Sequence, residues 1–215
     1  MERLTPSSPI ASSRRLPVLL VTEGVSDIEF LKRISRTLHV ADDCLPDLGL
    51  LEQVGELIFI PIGGGEIAAW GKLLSRLPNR RFQLHDRELG VEAARRRSAA
   101  AALNGPGCVV RLTSKRALEN YLHPEAILAA GGPLVRVDDL CDVPAKVAEA
   151  TFTAEAASNS WHRLPPRARK RFMARAKRWL TCQAVLQMTP ALLDARDPAG
   201  DVWSWLTAIA ALLHA

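Results

Sequence analysis

The period of the apolar positions changes repeatedly along the chain. Residues 16–22, LPVLLVT, form an almost unbroken apolar run, the pattern of a strand buried on both faces. From Val25 onward Ile28, Leu31, Ile34 and Leu38 recur every three or four residues, which predicts a helix with one inward face. A polar connection containing Pro46 and Gly49 follows. ELIFIPI at 56–62 reads as a second strand and IAAWGKLLSRL at 67–77 as a second helix. RFQLHD at 81–86 predicts a third strand. VEAARRRSAAAAL at 91–103 predicts an Ala-rich helix. NGPG marks a turn before a fourth strand, CVVRL, at 108–112. SKRALENYL and PEAILAA then read as short helices. Strands alternating with helices argue for βαβ units and a mostly parallel four-stranded sheet flanked by helices, an α/β fold.

After the GGP of 131–133 the pattern becomes helical, with LVRV at 134–137 the only further strand candidate. The division that follows is a polar, flexible leader at 1–15, an α/β domain at 16–130 and a helical C-terminal region at 131–215. The longest helix expected there is RARKRFMARAKRWLTCQAVL, with Phe172, Ala176, Trp179 and Leu180 as its apolar stripe.

Composition refines this in four respects. The chain is 48% hydrophobic over 215 residues, enough to bury a substantial core. No apolar run approaches the length of a membrane span, and the polar leader lacks the pattern of a signal peptide. The four cysteines, Cys44, Cys108, Cys141 and Cys182, are not paired at metal-ligand spacing and suit a reducing cytoplasm. The net charge of +5 is concentrated. Residues 161–180 hold eight Lys or Arg and no acid, leaving 20 basic and 23 acidic groups in the other 195 residues. A near-neutral body with one basic helix suggests a polyanionic partner, although a solvated basic face has the same composition.

The candidate chemistry lies at the strand ends. In a parallel α/β sheet, ligands bind outside the carboxyl ends of the strands. Glu23 follows strand one, Asp27 stands one turn into the next helix, Asp86 and Glu88 follow strand three, and Glu119 follows strand four. That many carboxylates along one edge repel one another unless a cation lies between them, and oxygen-only ligands suit Mg²⁺ or Mn²⁺. Two such ions would form the clamp used in phosphodiester cleavage. Each residue also has a plainer role open to it: Asp27 as the cap of its helix, Asp86 and Glu88 in a solvated turn, Glu119 in an ion pair on its own helix, and His85 as a flanking residue. The stretch GGGEIAAWGKLL is not a P-loop. Glu66 stands where the P-loop needs Gly, and Leu73 where it needs Ser or Thr. Gly63–Gly65 fit a tight turn better than a phosphate cradle.

LLVTEGVSDIEFL, FQLHDREL and LTSKRALENYL, in this order, resemble the motifs of the TOPRIM domain. The LENYL stretch is similar to the version in OLD-family (overcoming lysogenization defect) nucleases and in standalone TOPRIM proteins of two-gene anti-phage systems. The resemblance covers residues 16–128. It implies that Glu23 is a metal ligand or general base, that Asp27 is the second acid of the Glu-Gly motif, and that Asp86 and Glu88 match the metal-binding Asp-x-Asp. It implies that Glu119 completes a second metal site, with two Mg²⁺ or Mn²⁺ ions in all. OLD nucleases also place a distal lysine near the scissile phosphate. Lys170 and Lys177 are its candidates, Lys170 as the catalytic lysine and Lys177, with Arg171, Arg175 and Arg178, as a contact to the nucleic-acid backbone. The sequence departs from the family in having Glu88 for Asp, and in showing no ATPase ahead of the domain.

These readings lead to the expectation of a cytoplasmic, metal-dependent nuclease acting on DNA or RNA. It would be the effector of an anti-phage system, its ABC-type ATPase encoded separately, with a homodimer compatible and no membrane partner. An RNA-maturing TOPRIM nuclease and a catalytically inactive TOPRIM binding module are the alternatives. LENYL argues against the first, and intact Glu23, Asp86 and Glu88 argue against the second. The only tyrosine, Tyr121, lies inside the LENYL motif, which argues against a topoisomerase.

Overall fold

A computed structural model describes residues 15–64, 66–87, 90–155 and 160–215. Glu88 and nearly all of the expected leader therefore lie outside the described residues. The chain is α/β. Strands β1 (Val18–Thr22), β2 (Leu57–Pro61), β3 (Arg81–His85) and β4 (Cys108–Leu112) form one sheet in the order β2-β1-β3-β4, and every pairing is parallel. Helices α1 (Val25–Ala41), α2 (Leu48–Gln53), α3 (Ile67–Leu74) and α4 (Gly90–Leu103) lie between the strands. After β4 come α5 (Pro124–Ala129), α6 (Val143–Glu155), α7 (Pro166–Cys182), α8 (Pro190–Arg196) and α9 (Asp201–His214).

The apolar run of β1 puts it in the middle of the sheet, where all five residues are buried. Its side chains alternate between two cores, as the pleat requires. Val18 and Leu20 join Phe30, Leu31, Ile34 and Leu38 of α1 in the larger core. Val21 faces the other way, against Ile62 and Leu74. The larger core continues without a break into the C-terminal helices through Leu180, Val185, Leu193 and Leu206. The helical region is thus built onto the same apolar centre as the sheet.

α7 is docked in a defined way. Ala176 and Leu180 are buried on its inner side. Phe172 meets Phe152 of α6 edge-on, with ring centroids 5.4 Å apart, and Trp161 completes the aromatic cluster. Trp179 closes over Gly132, where an added Cβ would come within 2.4 Å of the indole. Only glycine permits that approach.

The structure differs from the sequence reading in four segments. Residues 48–53 form α2 because the Asp47 carboxylate accepts the Gly49 and Leu50 N–H groups as a cap. The helix expected over 114–122 shrinks to a single 3₁₀ turn, Leu118–Tyr121. There the Asn120 amide donates to the Asp138 and Cys141 carbonyls, 2.8 and 2.9 Å away, and its oxygen accepts the Ala117 N–H. A side chain engaged in this way competes with the regular helical ladder. Residues 134–137 are not a strand. The long basic helix stops at Cys182, and Ala184–Gln187 tighten into a 3₁₀ turn.

Candidate active site

The order β2-β1-β3-β4 means that the chain leaves β1 to one side for β2 and then crosses to the other side for β3. Such a reversal is where parallel sheets place their ligand crevice, here at the carboxyl ends of β1 and β3. Glu23 and Asp86 are the first residues beyond those two strands. Two backbone bonds fix their relation. The Asp86 N–H donates to Glu23 Oε1 at 3.1 Å, and Arg96 Nη1 donates to the Asp86 carbonyl at 3.1 Å. The same Arg96 nitrogen pairs with Glu23 Oε1. Behind Glu23, its carbonyl accepts the Gly63 N–H at 2.9 Å. Gly63 and Gly64 have φ of +70° and +74°, which supports the tight-turn reading of this segment.

Asp27 takes the capping role and adds an ion pair that the sequence did not indicate. Its Oδ2 accepts the Gly24 N–H at 2.8 Å, capping α1, while its Oδ1 lies 3.5 Å from Lys177 Nζ. Glu119 comes in from the 3₁₀ turn after β4. It is 1% exposed, and its Oε1 stands 3.2 Å from the same ammonium. Lys177 therefore sits between two carboxylates from opposite sides of the crevice. This is possible because α7 is docked through Ala176 and Leu180, which places its adjoining residue at the sheet's edge.

Charge balance in the crevice is unequal. Glu23, Asp27, Asp86 and Glu119 face two cations, Arg96 and Lys177. Arg96 serves Glu23, and Lys177 serves Asp27 and Glu119. Asp86 is left with no ion-pair partner among the described residues. Burial first, then the charges of Asp27, Glu23 and Glu119, push the Asp86 carboxyl up to about 8, against a smaller opposing pull from Lys177. Burial likewise raises Asp27 and Glu119, although Lys177 works against it in both. The ammonium responds in the opposite sense: burial would lower its pKa, but Glu119, Asp27 and Asp86 outweigh that and hold it well above its usual range. His85, the last residue of β3, is 1% exposed, and neither ring nitrogen has a partner among the described residues. Burial, with Arg96 assisting against Glu23, lowers it to about 4. It is a neutral imidazole beside the crevice and adds no counter-charge.

The donor set fits a divalent cation in two respects. The Asp86 carboxyl is raised first by burial and then by three acidic neighbours, a balance that a bound cation would reverse. The ligands on offer are oxygens, as Mg²⁺ and Mn²⁺ prefer. Among the described residues, three donor atoms lie within 4.8 Å of one another only in the exposed group Asp42, Asp43 and Cys44. The crevice carboxylates are divided instead between Lys177, which holds Asp27 and Glu119, and Arg96, which holds Glu23, so a metal taken up by Glu119 would have to displace that lysine.

Of the residues singled out from sequence, Glu23, Asp27, Asp86, Glu119 and Lys177 are brought together. Lys170 is not. It lies seven residues before Lys177 on the same face of α7, about 10.5 Å along the axis, and is exposed. The lysine at the carboxylates is thus Lys177, assigned from sequence to backbone contact, and not Lys170. Arg171, Arg175 and Arg178 are exposed on α7, with no ion pair among the described residues. Arg96 was not anticipated. Its signal is its place in the inward stripe of α4, in step with Ala93, Ala100 and Leu103. In comparisons with protein-family models, curated proteins and solved structures, nothing matches the chain.

The geometry has a measurable consequence. A carboxyl whose pKa is higher folded than unfolded binds its proton more tightly in the folded state, so its contribution to stability falls as pH rises. For Asp86 the window runs from about 4 to about 8. The metal-free protein is expected to melt progressively lower across that range. Millimolar Mn²⁺ should restore more of the melting temperature at pH 8.5 than at pH 5.5, because at the lower pH the ion competes with the proton. Thermal melts at the two pH values check this. An equal response at both would contradict the assignment of Asp86.

Proposed function

We propose that the chain is a metal-dependent nuclease of the TOPRIM type, hydrolysing phosphodiester bonds at the crevice between β1 and β3. The observation that carries this reading is the convergence of Glu23, Asp27, Asp86 and Glu119 on a site with only two fixed cations among the described residues. When bound, Mg²⁺ or Mn²⁺ would supply Lewis acidity toward the phosphoryl oxygens. Glu23, Asp86 and Glu119 would hold it, with Asp27 at its edge and Glu88 contributing as the resemblance implies. Arg96 fixes the orientation of the Glu23 carboxylate and the Asp86 backbone. Lys177, once released from Asp27 and Glu119, reaches the same space with a positive charge suited to the scissile phosphate. His85 keeps the floor of the site neutral.

The exposed Arg171, Arg175 and Arg178 supply the backbone grip in this reading. If they touch phosphates, substituting all three by Ala should weaken binding of every sequence alike. The slope of log affinity against log salt should fall by about 0.7 to 0.9 for each phosphate no longer neutralised. Fluorescence anisotropy over a salt series measures this, and an unchanged slope would assign the flank to solvent. The separately encoded ATPase and the defence role rest on the resemblance, and the cytoplasmic location on the unpaired cysteines. Among the described residues no helix is long and apolar enough to cross a membrane.

A second reading, a TOPRIM module that binds without cutting, draws on one observation. Lys177 already neutralises Asp27 and Glu119 from within the chain, as a degenerate site would. Incubation with single- and double-stranded DNA and RNA separates the two. The nuclease reading predicts cleavage with Mg²⁺ or Mn²⁺ that EDTA abolishes. Nucleic-acid binding without cleavage under every metal condition would favour the module.

A further inference from the structure

Beside Arg96 lies a concavity, open to solvent, of about 250 Å³. Its polar wall is Arg87, Arg96, Arg97, Thr113 and Ser114, and among the described residues no carboxylate lines it. It opens at the carboxyl ends of β3 and β4, one strand over from the crevice. Arg96 belongs to both sites, since its guanidinium pairs with Glu23 while its side chain also walls the concavity.

The wall is organised. The Arg87 N–H donates to Thr113 Oγ1 at 2.8 Å, and Arg87 Nη1 donates to the Ser114 carbonyl at 2.8 Å. Thr113 is buried and donates in turn to the Lys115 carbonyl at 2.7 Å. These bonds hold the Arg87 guanidinium against the end of β4. Arg97 projects from α4 beside Arg96, with no hydrogen bond or ion pair to a described residue. Ser114 is backed by Asp201, which accepts its N–H at 3.2 Å from behind the wall. Arg96 is itself neutralised by Glu23 and, through Nε at 3.7 Å, by Glu92, so the charge this concavity offers an anion comes from Arg87 and Arg97, whose guanidinium groups are of the kind that grips two oxygens of a tetrahedral anion.

We propose that this concavity is a phosphate-binding subsite for a phosphoryl group of the nucleic-acid strand adjoining the one at the carboxylates. The inference rests on the nuclease reading for the identity of its strand, but not for its anion chemistry. A strand laid across the ends of β1, β3 and β4 would bring one phosphate to the carboxylate crevice and the next to the arginines, with Arg96 between them. The carboxylates repel a phosphate unless a cation is present. The arginine concavity attracts one without help, so it would hold the strand before any metal-dependent step.

The test uses the full chain in EDTA, where no cleavage occurs. Inorganic phosphate is titrated against thermal melting. Fluorescein-labelled single strands with a 5′-phosphate or a 5′-hydroxyl are titrated by anisotropy over a salt series. Wild type is compared with Arg97→Gln and with Arg87→Gln/Arg97→Gln. The proposal expects phosphate to raise the melting temperature of the wild type but not of the double variant. It also expects the double variant to bind both strands at least about tenfold more weakly, with a salt slope smaller by about 0.7 or more. Tighter wild-type binding of the 5′-phosphorylated strand assigns the subsite to a terminal phosphate, and equal binding to an internal one. Phosphate protection and strand affinity that are the same in wild type and double variant overturn the subsite. If cleavage is then still found with Mg²⁺, the nuclease reading survives without it. Phosphate protection that disappears in the variants, with no cleavage by wild type under any metal, leaves the anion site standing and removes the nuclease reading.

Discussion

Asp86→Asn is expected to abolish metal-dependent cleavage, by a hundred- to a thousandfold or more, while melting at or above the wild-type temperature at pH 8. The two effects come from one cause. The half-buried Asp86 carboxyl stands among the charges of Asp27, Glu23 and Glu119, so its own charge is unfavourable there and, in the proposed mechanism, is useful as a cation ligand. Replacing the charged oxygen by an amide relieves the repulsion and removes a ligand. A loss of the size expected corresponds to one strong electrostatic contact in a transition state, about 3 to 4 kcal/mol. Glu23→Gln should lose activity to a similar extent but without the gain in stability, because it also gives up the ion pair with Arg96. Residues that serve function at the expense of stability are expected in an active site. If Asp86→Asn were fully active, or if it unfolded, the assignment of this carboxyl would be wrong.

Lys177→Met should be the most destabilising single change in the site. It leaves Asp27 and Glu119 buried without their counter-ion. Breaking a fully buried pair from one side typically costs roughly 3 to 5 kcal/mol. Here the Lys177 side chain is 34% exposed, and solvent screening at that exposure reduces the expected cost to about 2 kcal/mol near pH 8. The cost should shrink toward pH 5, since both carboxyls have raised pKa values and escape their isolation by taking up protons. Urea denaturation at the two pH values measures the difference. Lys170→Met, at an exposed position on the same face of the helix, is the control and should stay within about 0.5 kcal/mol of wild type. A loss of cleavage in Lys177→Met that Lys170→Met does not share would identify the catalytic lysine. Equal behaviour of the two variants would remove Lys177 from the mechanism.

Much of this architecture is written in local sequence. The run at 18–22 reads as a buried central strand, and a central parallel strand directs where its ligands bind. Glu23 and Asp86 are therefore legible as strand-end carboxylates before any contact is known. Glu119 is legible by its position after β4, although the helix expected around it is a 3₁₀ turn held by Asn120. The residues that sequence misplaces or misses depend on tertiary docking. Lys170 and Lys177 share a face of one helix, and nothing local says which end of that helix meets the sheet. Ala176, Leu180 and the closure of Trp179 on Gly132 decide it. Arg96 is hidden because the stripe it occupies is mostly alanine, too weakly apolar to mark an inward face. The cap that makes α2 is a single aspartate, Asp47, ahead of a glycine that argues against a helix.

Everything proposed for the crevice between β1 and β3 depends on its being a divalent-cation site. Anomalous diffraction from crystals soaked in Mn²⁺ locates the ion independently of activity. An anomalous peak is expected within coordination distance of Glu23 and Asp86 in the wild type, with Lys177 withdrawn from Glu119, and no peak there in Asp86→Asn. A peak confined to the exposed Asp42, Asp43 and Cys44 group, with Lys177 still held between Asp27 and Glu119, would contradict the cation site.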